Sequence, residues 1–460
     1  MLKRKGMVKT TFSVLLTLSL TTAFAQDNSP YSRYGLGDVV PNTNILNRGM
    51  GGVSAGYGDV RTVNFNNPAS FSRFRVRTEE RTGEVNAGQV ILDGGINISN
   101  RTLRTPNQTE KFSSTGAQFS YLQVGIPLRK NWGLALGLRP VTQIKYFIQR
   151  DEFLRDPLTG DSIERAVTEF KGTGGSYLPS IGTGFAIKNF SAGASLGYLF
   201  GSRETTTNRS LFNDSLLYYR GRIGDSTSFG GIFVNAGAQY DISLIPRDER
   251  LTRGTAILRL GVSGNLETKL TATQDLARET YVHDPNGGDF PQDSIKIENG
   301  TDGEVIYPAS YTAGFVFERQ KLKGGNWMVG MDLVQTKWSN YRFMGREDAV
   351  KDHWQVRVGG QFMSNPGRNY FSNVAYRAGF FAGQDYITAG GDLSNWGITL
   401  GAGLPIANWN RMALGQASVV NVALEYNKRG DNSNIVKENT FRFSLGLNFS
   451  DLWFNKRRYD

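Results

Sequence analysis

From about residue 84 onward, apolar positions alternate with small or polar ones at a period of two, the mark of strands whose two faces meet different surroundings. In Trp132 to Arg139, Trp132, Leu134, Leu136 and Leu138 alternate with Gly133, Ala135, Gly137 and Arg139. The same split sets Leu196, Tyr198 and Phe200 against Ser195 and Gly197, and Leu258, Leu260 and Val262 against Arg259, Gly261 and Ser263. It recurs with Val356, Val358 and Phe362 against Arg357, Gly359 and Gln361, and with Phe441, Phe443, Leu445, Leu447 and Phe449 against Arg442, Ser444, Gly446 and Asn448.

These runs predict fourteen strands, at about 84–98, 113–128, 131–149, 163–187, 189–206, 226–243, 253–275, 304–319, 325–343, 352–364, 372–386, 394–404, 416–429 and 438–450. The first two carry the weakest pattern, because Phe119 and Tyr121 fall on the face opposite Leu122, Val124 and Ile126. A soluble sandwich alternates as well, but its strands average about five or six residues, and an even count of long strands is the habit of outer-membrane barrels. Lys130-Asn131 and Lys188-Asn189 read as tight turns, whereas 99–112, 150–162, 207–225 and 276–303 read as long polar loops, as expected of periplasmic and external connections. The predicted fold is all-β: a transmembrane antiparallel barrel occupying residues 83–450.

Residues 26–82 have no such period. Gly49-Met50-Gly51-Gly52-Val53-Ser54-Ala55-Gly56-Tyr57-Gly58-Asp59 and Asn64-Phe65-Asn66-Asn67-Pro68-Ala69-Ser70 are polar and Gly-rich, and cannot build a core alone. Fourteen strands about 4.8 Å apart and tilted near 40° enclose a lumen roughly 28 Å across, too wide for wall side chains to fill. The segment is therefore expected to act as an N-terminal plug, and the 55 glycines to keep the lumen wall low.

Composition changes the picture in three places. Lys3, Arg4, Lys5 and Lys9, the apolar run Phe12 to Leu20 and Ala23-Phe24-Ala25 predict a signal peptide over residues 1–25, and no later run approaches the roughly 20 apolar residues of a membrane helix. Absence of Cys excludes disulfides, thiolate metal sites and a lipidated cysteine. The formal charge of +11 includes four signal-peptide cations, and the remainder is spread too thinly to mark nucleic-acid binding.

Arg48-Gly49-Met50-Gly51-Gly52-Val53-Ser54-Ala55 followed by Asn66-Asn67-Pro68-Ala69 resembles the N-terminal hatch of the FadL/TodX family of outer-membrane transporters for long-chain fatty acids and other hydrophobic compounds. Tyr307-Pro308-Ala309-Ser310, the run from Trp327 through Asp332 to Trp338-Ser339, and Gly397 to Gly401 are similar to later strands of that family. Family barrels end near an aromatic residue, here Phe449, but a tail at 451–460 with Trp453, Phe454, Lys456, Arg457 and Arg458 follows. With Arg33 and Tyr34 this tail looks like the branch found in Bacteroidota, where some relatives are subunits of secretion or assembly machines.

The resemblance implies a hatch motif at Asn66, Asn67, Pro68 and Ala69, which either moves to open a path or simply holds a turn. Inward cations Arg139, Lys145, Arg259, Arg357, Arg377 and Arg442 are candidate partners for a ligand carboxylate, with Arg357 and Arg377 first because adjacent strands could unite them. The competing reading pairs them with Asp38, Asp59, Asp241 and Glu425. Pro140 interrupts the third predicted strand, where the resemblance implies a lateral opening and an ordinary bulge is the plainer alternative.

The only histidines, His283 and His353, sit near predicted loops, and neither Asp284, Asp289 and Asp293 nor Gly49 to Gly52 matches a calcium or phosphate loop; no catalytic residue, metal or cofactor is expected. The chain is thus expected to be a non-enzymatic protein of a Gram-negative outer membrane. It either passes hydrophobic small molecules from lumen to membrane lipid or serves as an accessory subunit of an outer-membrane complex with protein partners.

Overall fold

The computed structural model describes residues 29–453, except 79–84, 107–108, 156–157, 160–161, 213–218, 247, 285–287, 322–323, 366, 368 and 407–416. The predicted signal peptide and residues 454–460 of the predicted tail lie outside the described residues.

Two short strands, β1 (Asp38–Val39) and β2 (Val76–Thr78), precede the wall. The wall opens with β3 (Val85–Arg104), β4 (Lys111–Arg129), β5 (Trp132–Arg155), β6 (Ser162–Ile187), β7 (Phe190–Phe212) and β8 (Arg220–Ser243). Two broken staves follow: β9 (Thr255–Asn265) leads into β10 (Thr268–Asp284), and β11 (Gly288–Tyr307) into β12 (Ser310–Gln320). The wall ends with β13 (Asn326–Thr336), the small β14 (Arg342–Phe343), β15 (His353–Met363), β16 (Ala375–Gln384), β17 (Ser394–Pro405), β18 (Ala417–Arg429) and β19 (Lys437–Trp453). All pairings are antiparallel, and β19 pairs with β3 from Lys437↔Arg104 to Trp453↔Gly88, closing a fourteen-stave barrel.

The outer face carries the apolar half of the alternation. Leu196 and Leu447 are 53% and 51% exposed, while Gly, Ser and Asn on the opposite face are buried. Exposed Leu and buried Asn invert the arrangement of a soluble core, as a barrel bathed in hydrocarbon requires.

Several expected boundaries are corrected. Most of 150–162, 207–225 and 276–303 is strand, not loop, because the β5–β6, β7–β8 and β10–β11 hairpins continue past the apolar belt. There both faces meet water, so the alternation vanishes although residues such as Thr205, Thr206 and Thr207 keep their preference for extended backbone. The strand expected at 304–319 breaks at Pro308, which has no N–H for the ladder. β19 runs to Trp453, so Asp451 to Trp453 belong to the wall, and β2 adds to β3 instead of to the preceding segment.

The irregular pattern in β4 has a simple cause. Tyr121 pairs with Gly95 but Phe119 with Ile96, leaving Ser120 as an extra residue. This bulge turns Phe119 outward with Leu122 and leaves Tyr121 buried inside.

Residues 29–75 are mostly buried, and they touch the inward-facing residues of strands around the cylinder. The wall glycines allow it. A Cβ at Gly184 would lie 2.3 Å from Pro68 O, at Gly261 2.0 Å from Ala55 O, at Gly359 2.1 Å from Met50 O and at Gly379 2.1 Å from Gly51 N. Gly359→Val is therefore expected to cost about 2–3 kcal/mol by overpacking, read as faster proteolysis near Met50 while the folded barrel keeps its electrophoretic heat-modifiability. Unchanged proteolysis would contradict this contact.

Candidate functional site

The wall is incomplete on one side. β4 and β5 are paired from Arg129↔Trp132 up to Leu122↔Leu138, and there the ladder stops. Above that level β4 pairs only with β3, and β5 only with β6 among wall strands. Both strands bulge at this height: Ser120 is extra in β4, and Val141 is extra in β5 between Pro140↔Tyr177 and Thr142↔Ser176. Pro140 has no N–H to offer a neighbour, so the ladder has a chemical reason to end where it does.

The freed edge of β5 is taken by the N-terminal segment. β1 pairs with it through Asp38↔Gln143 and Val39↔Thr142. The Val40 N–H donates to Val141 O (3.0 Å), and the Ser29 N–H donates to Lys145 O (3.1 Å). Lys145, a candidate cation, thus contributes its backbone here, its own N–H donating to Ser32 Oγ. Val39 remains 46% exposed.

Behind the gap lies a cavity of about 290 Å³ whose lining includes Val39, Arg139, Val141, Leu178, Phe233 and Tyr307. Arg139 is buried, its guanidinium lies 4.9 Å from the Phe65 ring, and its Nη1 has no hydrogen-bond partner among the described residues. The rest of the lining is mixed and includes Asp38, Arg101, Glu425 and Arg429, and a buried cation with an unused donor beside such a cavity suits an anionic or polarisable ligand group.

The remaining candidate cations are engaged by the protein. Arg259 Nε donates to Asp241 (2.9 Å), as does Arg73 (2.8 Å), and Arg442 pairs with Glu425. Arg357 donates to Gln355 (2.7 Å) and to Gly52 O (3.3 Å); Arg377 donates to Gln361 (2.7 Å) and Asn421 (2.9 Å). Arg357 and Arg377 lie on adjacent strands but are not brought together: Arg377 stands opposite Gln361, and Arg357 opposite Phe381. Asp59 meets Arg61 at 3.9 Å. The pairing reading holds for Arg259 and Arg442, and Arg139 is the candidate left open to the cavity.

The Asn66 to Ala69 motif is a joint. Asn67 Oδ1 accepts from the Ala69 N–H (3.1 Å) and caps the helical turn Pro68–Arg73, while its Nδ2 donates to Ala55 O (2.7 Å), Val262 O and Ala238 O. Asn66 receives Asn235 Nδ2 on its carbonyl. Pro68 fixes the first dihedral of the turn and packs against Gly184 and Gly193. Periodicity gave no warning of two further anchors. Asp332 Oδ2 accepts from the Ser54 and Ala55 N–H groups (2.6 and 2.9 Å), and Arg48 is bound by Asn97 and by the carbonyls of Pro41 and Thr43.

At the loop end, Arg429 donates to Asp38 (2.7 Å) and Asp385 (2.9 Å) and lies 3.4 Å from Glu438, while Arg101 binds Asp38 (2.7 Å) and Glu438 (3.3 Å). Burial alone would raise the Asp38 carboxyl, yet Arg101 and Arg429 hold it at about 2. An aromatic cluster including Tyr31, Trp338, Tyr341 and Tyr386 packs above it, with Trp338 and Tyr386 stacked at 4.2 Å. His353 is bonded to Gln384 O through Nδ1, and the His283 side chain lies outside the described residues.

The BamG family model matches residues 7–460. The chain belongs to the BamG family. Compared with curated proteins by sequence, this BamG family member matches none. By structure it is similar to the toluene transporter TodX of P. putida, at 14% identity and a TM-score of 0.52, covering 91% of this chain and 100% of the other. It is also similar to a FadL homologue of Pseudomonas aeruginosa (14% identity, TM-score 0.51, 90% and 98% covered) and to the toluene transporter TbuX of Ralstonia pickettii (12%, 0.51, 89% and 98%). This BamG family barrel therefore has the FadL-type fold, and the resemblance read from the hatch motif holds at that level.

Proposed function

We propose that the chain passes hydrophobic small molecules across a Gram-negative outer membrane and releases them sideways into membrane lipid through the gap between β4 and β5. The observation that carries this reading is the end of the β4–β5 ladder at Leu122↔Leu138, directly beside the cavity that holds Arg139. Residues 29–75 act as the plug of this passage, and β1 acts as the bolt across the gap. The named cargo of the structural neighbours TodX and TbuX, toluene, agrees with an apolar ligand. No catalytic step and no cofactor enter this reading.

Oleate supplies a carboxylate for Arg139 and toluene does not, so the two ligands separate its role. Arg139→Ala is expected to weaken oleate binding about tenfold, the loss of one charge-assisted hydrogen bond, and to leave toluene binding within about twofold. Calorimetry with the detergent-solubilised protein reads both. Unchanged oleate affinity would remove Arg139 from the site.

A second reading, an accessory barrel within an outer-membrane complex, has its own support: Arg259 and Arg442 are paired internally, and residues 29–75 pack against inward-facing glycines of the wall. Stoichiometric protein partners after purification from native membranes in mild detergent would favour it, whereas a lone barrel carrying lipid would favour passage.

A further inference from the structure

The ends of the barrel carry opposite charge. Among the described residues, the connections at the end holding the Lys130-Asn131 and Lys188-Asn189 turns, at 75–78, 129–131, 188–189, 244–254, 319–325, 364–374, 406 and 451–453, contain nine Lys and Arg against three Asp and Glu, a net of +6. At the other end, the described residues among 105–110, 158–159, 219, 337–352, 385–393 and 430–436 contain four against seven, a net of −3. The fold thus gathers the basic connections at one rim and the acidic ones at the other.

The basic rim surrounds a basin of about 660 Å³ whose floor is built from Tyr57–Arg61 and Ser72–Phe74. Among its lining cations, Arg73 and Arg259 share Asp241, Arg259 also meets Glu318 at 3.9 Å, and Arg61 faces Asp59. Lys130, Lys188 and Arg319 also line the basin, and among the described residues none of the three has a carboxylate within 4.0 Å. Lys188 holds φ at 55°, where Gly or Asn would sit with less strain.

We infer that this basin is a docking surface for an acidic segment of a soluble protein on the short-turn, periplasmic side of the membrane. The concave shape decides against lipid: headgroups reach the outside of the rim, whereas the basin opens along the barrel axis into water. Lys130, Lys188 and Arg319 supply the unpaired cations, and field lines focused by a recess with low-dielectric walls strengthen their pull on an anionic chain. The inference shares with the proposed passage only the orientation of the barrel, so it stands or falls whether or not a hydrophobic ligand binds.

The test uses the full-length protein in phosphatidylcholine nanodiscs and a short fluorescent polyglutamate peptide, with affinity read by anisotropy at low and physiological salt. The triple variant Lys130→Glu, Lys188→Glu and Arg319→Glu is expected to lower affinity at least about tenfold and to flatten the salt dependence. Reversal of Arg250, Arg253 and Lys321, which lie on the same end outside the basin, is expected to lower it about twofold or less. The Gln versions of the basin triple should fall between, and unboiled electrophoretic mobility confirms a folded barrel in each. Equal losses in the two triples would mean diffuse charge and overturn the basin. So would unchanged peptide binding, with or without a loss of flotation on phosphatidylglycerol vesicles; a flotation loss would make the surface a lipid one.

Discussion

The double substitution Val39→Cys and Thr142→Cys, oxidised in an otherwise cysteine-free chain, is expected to stop hydrophobic uptake and to return it on reduction. Val39 and Thr142 are direct partners across β1 and β5. Opposed antiparallel residues have Cα separations of about 4.5–5.5 Å, within the range a disulfide accepts. The chain has no other Cys to compete. β1 covers the edge that β4 leaves free, so a covalent bond there holds the bolt shut. If oxidation of the pair left uptake unaltered, β1 would be a fixed part of the wall and release would have to take another route.

Arg429→Ala is expected to detach residues 29–40 without opening the barrel. The side chain answers Asp38, Asp385 and Glu438 together, and its guanidinium lies 4.9 Å from the Tyr31 ring. Removing one partner of a buried ion pair costs about 3–5 kcal/mol, because the carboxylates left behind have lost both water and their counter-ion. Only Arg101 would remain for Asp38 and Glu438. Hydrogen exchange at residues 29–40 should rise by orders of magnitude, while β15–β18 stay protected. Arg429→Lys should rescue in part, since a single ammonium cannot reach three carboxylates in the fork geometry of a guanidinium.

The pH dependence has a definite sign. A carboxyl held at about 2, below its ordinary value, contributes stability that is fully present above that ordinary value and disappears as pH falls through 2. In the native protein, residues 29–40 should therefore stay anchored at pH 4. In Arg429→Ala, the carboxyl is held less firmly and release should begin at higher pH. Equal release profiles for the two proteins would contradict the role given to Arg429.

The alternation of Trp132 to Arg139 and of Phe441 to Phe449 was enough to fix the barrel, because each residue there meets only one of two surroundings. The same rule failed where surroundings or register change. Beyond the lipid belt, β6, β7 and β10 lose their period though not their ladder, and in β4 one extra residue, Ser120, reverses the faces of everything before it. A bulge is a property of two strands, and one strand's sequence does not display it.

At the site, Pro140 pointed to an interruption of its strand because a missing N–H is legible in any sequence, whereas a lateral opening there was implied only by the family resemblance; Asn67-Pro68 announced a capped turn from residue type alone. Which cation would stay unpaired was not legible. Arg139, Arg259 and Arg357 look alike in the pattern, and only the fold brings Asp241 to Arg259 and leaves Arg139 beside Phe65. The network of Asp38, Arg101, Arg429 and Glu438 joins residues up to 400 positions apart, as between Asp38 and Glu438, and depends wholly on barrel closure.

The most direct test of lateral passage is the rate at which cells take up radiolabelled oleate and toluene when this chain is the only hydrophobe channel of their outer membrane, against the same cells without it. Lateral passage predicts a clear rise in uptake of at least one of the two, lost on oxidising the Val39–Thr142 cysteine pair and regained on reduction. Equal uptake with and without the chain, from membranes in which the barrel is folded and abundant, would contradict it.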